Sequence, residues 1–428
     1  MIKRASTMSL CSKVLLSVAH WMFRTVLILG MGSCYSNVVT LEYFGLHIHR
    51  ADNGTAWPKS SFGSWRLWDA YVQWTHLQPT KETWNFTKLD LDVAMAKINK
   101  VSILLPLGLS PQWASSRPNE ESGYGRGNAA EPTSIEDWRS YVRTVGIRYK
   151  NRINAYEIWN EPNDKVFFSG TTSKLVELTC VAYLTLKAID ASIIVVSPAY
   201  TGEENIGKLE EFLAMGGGKC IDVVSYHLYV TPSPPEAIPS LVERIRQAMK
   251  RQGLEHLPLW NTETGWEIKN TDGTPEGKPS DYWLRVGSEQ SAAFVARAFL
   301  LSSAYGVDRF YWYAWDSKAM GLIEPTARTI KPGGAAIGIL SKWLVGGQRP
   351  ICSETNRIWL CNLSGRPSER RVVIWSRDSS ELYVPPSGWK VSQIERADGR
   401  NESPPLPSAS LRTSEMPRLL TLMPDTKP

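Results

Sequence analysis

Ala155-Tyr156-Glu157-Ile158-Trp159-Asn160-Glu161-Pro162-Asn163 is an apolar and aromatic run that stops on a carboxylate and is closed by a proline. Pro162 has no N–H to give to a sheet ladder, so the run reads as a buried strand with Glu161 at its tip. A carboxylate at the C-terminal end of a parallel strand is where an eight-stranded α/β barrel places its chemistry.

The flanking sequence repeats the same theme. Strand-like runs occur at 43–50, 64–69, 102–108, 155–161, 192–198, 222–229, 257–263 and 309–315. Helical periodicity lies between them at 89–99, 135–149, 173–190, 241–252 and 289–305, with Ser288 as an N-cap for the last, and a final helix fits 335–344. Strands alternating with helices predict an α/β fold, a (β/α)8 TIM barrel over residues 38–347. The segment 51–63 is rich in Gly, Pro and Ser, so the first barrel helix is expected to be short or missing. Two long loops, 115–134 and 264–287, would emerge on the C-terminal face, where long loops bind substrate. From Pro350 the pattern shifts to short alternating runs, predicting a small C-terminal β domain, sandwich-like, over 350–400. Residues 401–428, rich in Pro and Ser, read as a flexible tail.

At 428 residues with 43% hydrophobic side chains and 18 Trp, the chain can bury one large core and a second small one. Its formal charge of +6 is not a nucleic-acid footprint. Lys3, Arg4, Lys13 and Arg24 precede any acid, and 12 basic against 9 acidic residues follow from Arg349, which leaves the middle near neutral. The basic start, the apolar run 25–32 and the small residues before Cys34 read as an export leader over 1–33. Export would place the protein in the periplasm, the cell envelope or the medium. His20 and Arg24 interrupt the wider apolar region and disfavour a membrane span, while Cys34 offers a loose lipid-attachment site through which the N-terminal segment could meet a membrane. Six cysteines show no metal or redox spacing; Cys352 and Cys361 flank an apparent hairpin, as a disulfide or as buried thiols.

A second strand run, Trp260-Asn261-Thr262-Glu263-Thr264-Gly265-Trp266, also ends on a glutamate. Tips of strands four and seven face each other across a barrel. Two opposed carboxyls are what glycosidic cleavage needs, one protonated for the leaving oxygen and one ionised beside the sugar. A separation of ~5–5.5 Å implies a covalent intermediate and retention, and ~6.5–9.5 Å implies inversion.

Trp159-Asn160-Glu161-Pro162 and Glu263-Thr264-Gly265-Trp266 resemble the acid/base and nucleophile motifs of clan A retaining glycoside hydrolases. Phe44-Gly45-Leu46-His47, Trp65-Arg66-Leu67-Trp68-Asp69, Leu107-Gly108 with Pro111-Gln112-Trp113-Ala114, and Tyr226-His227-Leu228-Tyr229 narrow the resemblance to glycoside hydrolase family 39. Within it the pattern is most similar to bacterial members associated with exopolysaccharide genes. The resemblance implies Glu161 as general acid/base, Glu263 as nucleophile and Asn160 as a contact of the sugar 2-hydroxyl. It implies that Arg66 keeps Glu263 ionised and that Tyr229 donates to the same carboxylate. Arg66 can equally neutralise Glu157, which shares the Glu161 face by the period of two. His47 reads as a sugar contact, and His227 either as one or as a packed barrel histidine. Trp113, Trp266 and Trp315 fall at or beyond strand ends, where Trp266 and Trp315 are expected to be stacking platforms, with Trp312 left to the core. His47 and His49 share a face but lack a third ligand, so neither a metal nor another cofactor is expected.

The function expected is a retaining O-glycosidase acting on an extracytoplasmic polysaccharide or oligosaccharide, in an endo manner. The alternatives are an exo-acting β-xylosidase of the same family and a glycan-binding protein of polysaccharide assembly that does not cut.

Overall fold

Nine parallel strands make one curled sheet: β1 (Phe44–His47), β2 (Ser64–Arg66), β3 (Ser102–Leu107), β4 (Ala155–Ile158), β5 (Ile194–Val196), β6 (Tyr200–Thr201), β7 (Val224–His227), β8 (Leu259–Thr264) and, after the short ladder β9 (Glu267–Ile268) with β10 (Arg285–Val286), β11 (Val307–Trp312). These come from a computed structural model describing residues 37–278, 282–365, 368–377, 381–405 and 410–425. The leader and the lipid-attachment site at Cys34 lie outside the described residues.

The strand order is β5-β4-β3-β2-β1-β11-β8-β7-β6, and parallel bridges from Val196 in β5 to Val223, just before β7, and from Asn160, just after β4, to Ala199, just before β6, close the gap. The sheet therefore closes into a barrel of eight positions, with β5 and β6 as two pieces of the fifth strand. Every residue of β1, β2, β4, β7 and β8 is buried, as expected of strands covered on both faces. Interior packing is tight enough to require glycine in β1, since a Cβ on Gly45 would fall 2.5 Å from the Tyr311 ring.

Around the sheet run α1 (Trp74–Leu77), α2 (Thr87–Asn99), α3 (Ile135–Arg148), α4 (Thr172–Ile189), α5 (Ile206–Ala214), α6 (Ile238–Arg251), α7 (Ser288–Ala304) and α8 (Pro332–Leu344). No helix separates β1 from β2 among the described residues, in line with the composition of 51–63. Helix α5 was not expected. Its nine residues sit between Gly202 and Gly216, and glycine punctuation hid the apolar face of Ile206, Leu209 and Leu213. At α7 the cap position belongs to Gly287, and Ser288 is the first helical residue. No described helix is long and apolar enough to cross a membrane.

The C-terminal region is a six-stranded antiparallel sheet, built from β12 (Ile351–Thr355), β13 (Ile358–Leu363), β14 (Arg370–Ser376), β16 (Trp389–Arg396), β17 (Asn401–Glu402) and β19 (Arg418–Pro424). Its order is β12-β13-β14-β19-β16-β17, while β15 (Leu382–Tyr383) and β18 (Leu411–Arg412) pair separately. This corrects the flexible tail expected over 401–428. Strand β19 lies in the middle of the sheet with Leu419, Leu420 and Leu422 buried, and burying each leucine contributes roughly 1.5–3 kcal/mol. Pro and Ser before it marked a connection and not the end of order.

One face of this sheet packs on the barrel, where Trp359 and Trp375 stack with centroids 5.7 Å apart. Trp375 donates to Glu236 Oε1 at 2.8 Å, and Arg297 donates to the same oxygen at 3.0 Å. Cys352 and Cys361 face each other across β12 and β13 in a disulfide, and Cys180 is bonded to Cys220. The second pairing was not anticipated from the sequence.

Candidate active site

The end of β4 sets the site. Regular alternation would send Asn160 and Glu161 to opposite faces of the sheet. Trp159 and Glu161 instead take positive φ, 65° and 40°, and both Asn160 and Glu161 line the same cavity. Such backbone is unfavourable by about 1–3 kcal/mol per residue and persists only where the surroundings hold it. Here Trp159 donates from its N–H to Leu107 O at 2.7 Å and Glu161 from its own to Ala199 O at 2.8 Å. Gly108 permits the close approach, because at φ 158° a Cβ there would meet the Trp159 ring at 3.1 Å.

Arg66, at the end of β2 and fully buried, organises three acceptors. Nε donates to Glu157 Oε2 at 2.7 Å, Nη1 to Glu263 Oε2 at 2.9 Å and Nη2 to Asn160 Oδ1 at 2.7 Å. The guanidinium thus contacts both carboxylates that the sequence offered it as partners. The guanidinium can only donate, so it fixes the Asn160 oxygen toward itself and leaves the amide N–H groups to the cavity. Tyr229 donates its hydroxyl to Glu263 Oε1 at 3.0 Å, and His227 Nδ1 shares a hydrogen bond with Glu161 Oε1 at 2.7 Å.

A carboxylate oxygen of Glu161, one of Glu263 and a ring nitrogen of His227 all lie within 4.8 Å of one another. A gap of this size between one oxygen of each is compatible with the ~5–5.5 Å carboxyl separation of a covalent mechanism. Burial pushes Glu161 up to about 7, opposed by Arg66 and reinforced by Asp164 and Asp69. Burial also pushes Glu263 up to about 7, with the Glu161 charge adding to it and Arg66 opposing. The two titrate as a pair, since ionisation of one opposes that of the other. Glu263 accepts from a guanidinium and a phenol, which favour its charged form, and Glu161 accepts from neither. Burial lowers His227 to about 4 and holds His47 well below the usual imidazole range, so both rings are neutral near pH 7.

The same three donors have the reach of a metal set. Both oxygens of Glu263 are already engaged, one of them by the Arg66 cation, which is a poor neighbour for a second cation. The arrangement suits proton transfer and nucleophilic attack.

The cavity over these carboxylates is about 400 Å³ in volume, and its aromatic wall comes from Trp68, Tyr124, Phe167, Tyr282, Trp283 and Tyr313. The two long loops therefore do reach the site, through Tyr124 and through Tyr282 and Trp283. Tyr124 and Tyr313 both donate to Asp69, at 2.5 and 2.7 Å. Trp68, Asp69 and Tyr313 were missed as site residues. The first two stood inside the quoted 65–69 motif, at the tip of strand two, where the same rule that found Glu161 applies.

Four expectations are corrected. Trp266 is 1% exposed, bonded through Nε1 to Ser233 O and packed on Trp312 and Phe294, so it belongs to the core. Trp315 is 2% exposed and also core; the strand-eight ring in the cavity is Tyr313. Trp113 packs edge-on against Trp74 and bonds Gln78 O, away from the cavity lining. His47 is fully buried against Tyr313, with Nε2 on Thr262 O at 2.9 Å, and supports the wall without forming it. His227, also fully buried, reaches the chemistry through Glu161.

Residues 67–274 match the family model of glycosyl hydrolases family 39, which bears out the resemblance carried by the motifs. A beta-xylosidase of Caldicellulosiruptor saccharolyticus is 29% identical over an alignment covering 38% of this chain and 38% of the relative. The chain thus spans about two fifths of that relative's length in the comparison. A family 39 glycoside hydrolase from Bacteroides cellulosilyticus WH2 superposes with a TM-score of 0.66 at 19% identity, covering 91% of this chain and 82% of the other. A GH39 beta-xylosidase from Caulobacter crescentus does so with 0.64 at 16% identity, covering 90% and 97%. Barrel and appended β sheet are thus a shared fold.

Proposed function

We propose that this chain, which resembles glycoside hydrolase family 39 through the core of its barrel, is a retaining O-glycosidase in which Glu263 is the nucleophile and Glu161 the acid/base. The single observation that carries the reading is the placement of one carboxylate oxygen of each within 4.8 Å of the other, with Arg66 and Tyr229 on Glu263 and neither on Glu161. In the first step a Glu263 oxygen bonds to the anomeric carbon as the glycosidic C–O bond breaks, and the Glu161 proton goes to the leaving oxygen. Esterification removes the Glu263 charge, which favours an ionised Glu161. Glu161 then takes a proton from a water whose oxygen attacks the same carbon, and the bond to Glu263 breaks. Asn160 donates to the sugar 2-hydroxyl, a contact that strengthens as charge builds on the ring.

The substrate is a polysaccharide or oligosaccharide, cut in the endo manner. Support comes from the continuity of the binding face: the catalytic cavity shares Asp69 and Tyr124 with a neighbouring cavity, and Tyr229 and Tyr282 with another lined by Glu204, Thr231 and Ser233. Lobes on two walls of the carboxylate site suit a chain passing through. An exo-acting β-xylosidase is the second reading, favoured by the name of the 29% identical relative. Two disulfides join all four cysteines beyond Cys34, which supports an oxidising, extracytoplasmic location and an exported protein. Association with exopolysaccharide fits that location.

The test is hydrolysis of activated aryl glycosides and of polysaccharides by the wild type, Glu161→Ala and Glu263→Ala, with and without azide. Azide should restore turnover to both variants. Failure of rescue in both, together with a wild type inactive on every glycan offered, would sink the catalytic reading. Product sizes over time separate endo from exo action, since only an endo-enzyme shortens the polymer before monosaccharide accumulates.

A further inference from the structure

The geometry points to a second sugar-binding subsite beside the carboxylates, built by Gln73, His49, His76 and Tyr71 to hold an uncharged glycosyl unit of the same substrate. It rests on the glycosidase reading and adds to it where the next sugar sits.

The cavity concerned is about 460 Å³ in volume and is separated from the catalytic one only by the shared residues Asp69 and Tyr124. Its wall contains an unusual concentration of buried polar atoms lacking partners among the described residues. Gln73 is 1% exposed, yet neither Nε2 nor Oε1 of its amide has a hydrogen-bond partner. His49 Nε2 and His76 Nδ1, in residues lining the same cavity, are also unpartnered among the described residues. Each buried polar group left unsatisfied disfavours the fold by about 1–3 kcal/mol, so a cluster of them in the wall of one cavity is retained where something else supplies the bonds.

The donor and acceptor pattern states the chemistry. One amide offers both a donor and an acceptor, and two imidazoles offer a nitrogen each, which matches the neighbouring hydroxyls of a sugar ring, each both donor and acceptor. Tyr71 supplies the apolar counterpart. It is 63% exposed, packs edge-on against His76 with centroids 5.5 Å apart, and offers a ring for the C–H face of a sugar.

The charged groups on this wall are already engaged. Both Asp69 oxygens accept from Tyr124 and Tyr313, and Arg50 donates through Nη2 to Asp316 O at 2.6 Å. Asp316 itself accepts from the His49 and Arg50 N–H groups and from Thr55. One anion, Asp69, and one cation, Arg50, line this wall, so no excess of either sign selects an ionic ligand, which assigns the subsite to a neutral sugar.

The experiment measures binding, by titration calorimetry, of xylose and xylobiose, glucose and cellobiose, and mannose and mannobiose to the Glu161→Ala protein. In at least one pair the disaccharide should bind about tenfold or more tightly than its monosaccharide, the worth of about one or two satisfied buried groups. Adding Gln73→Ala should bring that ratio close to one. Adding Tyr71→Ala, at an exposed position where folding is not at stake, should lower it by several fold. No length dependence in any pair, or a ratio that survives both substitutions, overturns the subsite. Hydrolysis by the wild type with flat binding would reject the subsite alone, and length-dependent binding lost in Gln73→Ala without any hydrolysis would reject the enzyme reading alone.

Discussion

Arg66 holds Glu157 through Nε at 2.7 Å with the same guanidinium that reaches Glu263 at 2.9 Å. Glu157 is fully buried and paired with this arginine, so it shares the guanidinium whose charge lowers Glu263 against the effect of burial. The Glu157→Gln variant removes that competition. With Glu263 as the proposed nucleophile, the acid limb of the kcat/KM profile should move to lower pH by roughly one unit. A limb that stays fixed or moves up contradicts the shared-cation arrangement.

Asn160 separates positioning from contact. In Asn160→Asp the oxygen facing Arg66 is kept and the N–H groups facing the cavity are lost. On a substrate carrying a 2-hydroxyl, kcat/KM should fall about a hundredfold, as on removing one transition-state donor. On the corresponding 2-deoxy glycoside the loss should shrink to a few fold. Equal losses on the two substrates would remove the assigned contact.

Asp92 lies on the core face of α2 with Leu89, Val93 and Ala96, and one of its oxygens has no partner among the described residues. Burial pushes it up to about 7, with Lys88 opposing. Because the folded value lies above the ordinary carboxylate value, stability is full at acidic pH and is lost as pH rises through about 7. Asp92→Asn should leave the denaturation midpoint at pH 4 nearly unchanged and raise stability at pH 8 by on the order of 1–3 kcal/mol. Stabilisation equal at both pH values contradicts a buried, strained carboxylate.

The Cys180–Cys220 bridge closes a loop of sequence separation 40 and ties α4 to the turn after α5. Replacing both by serine should lower stability by about 3–4 kcal/mol, read by chemical denaturation of oxidised protein. A loss below about 1 kcal/mol would mean that packing of α4 and α5 alone sets this region.

The barrel was legible in the sequence because its strands are buried on both sides and its helices carry regular apolar spacing. Glu161, Glu263, Asn160, Arg66 and Tyr229 were legible because strand tips and motif spacing identify them before any contact is known. The tryptophans were not. Whether an aromatic at a strand end faces the cavity or the core depends on how the backbone turns past that end, and Trp266 and Tyr313 took opposite sides for reasons of local backbone. The β19 strand was missed because proline and serine upstream outweighed a short leucine run whose partners, β14 and β16, lie 20 or more residues away.

Direct attack of Glu263 on the sugar, as proposed, is read from the stereochemistry of the first product. An activated aryl glycoside turned over by the wild type is followed by proton NMR within the first minutes, before the released sugar mutarotates. The anomeric signal appearing first should have the configuration of the substrate. First appearance of the opposite anomer would show a single displacement by water and contradict the covalent role of Glu263.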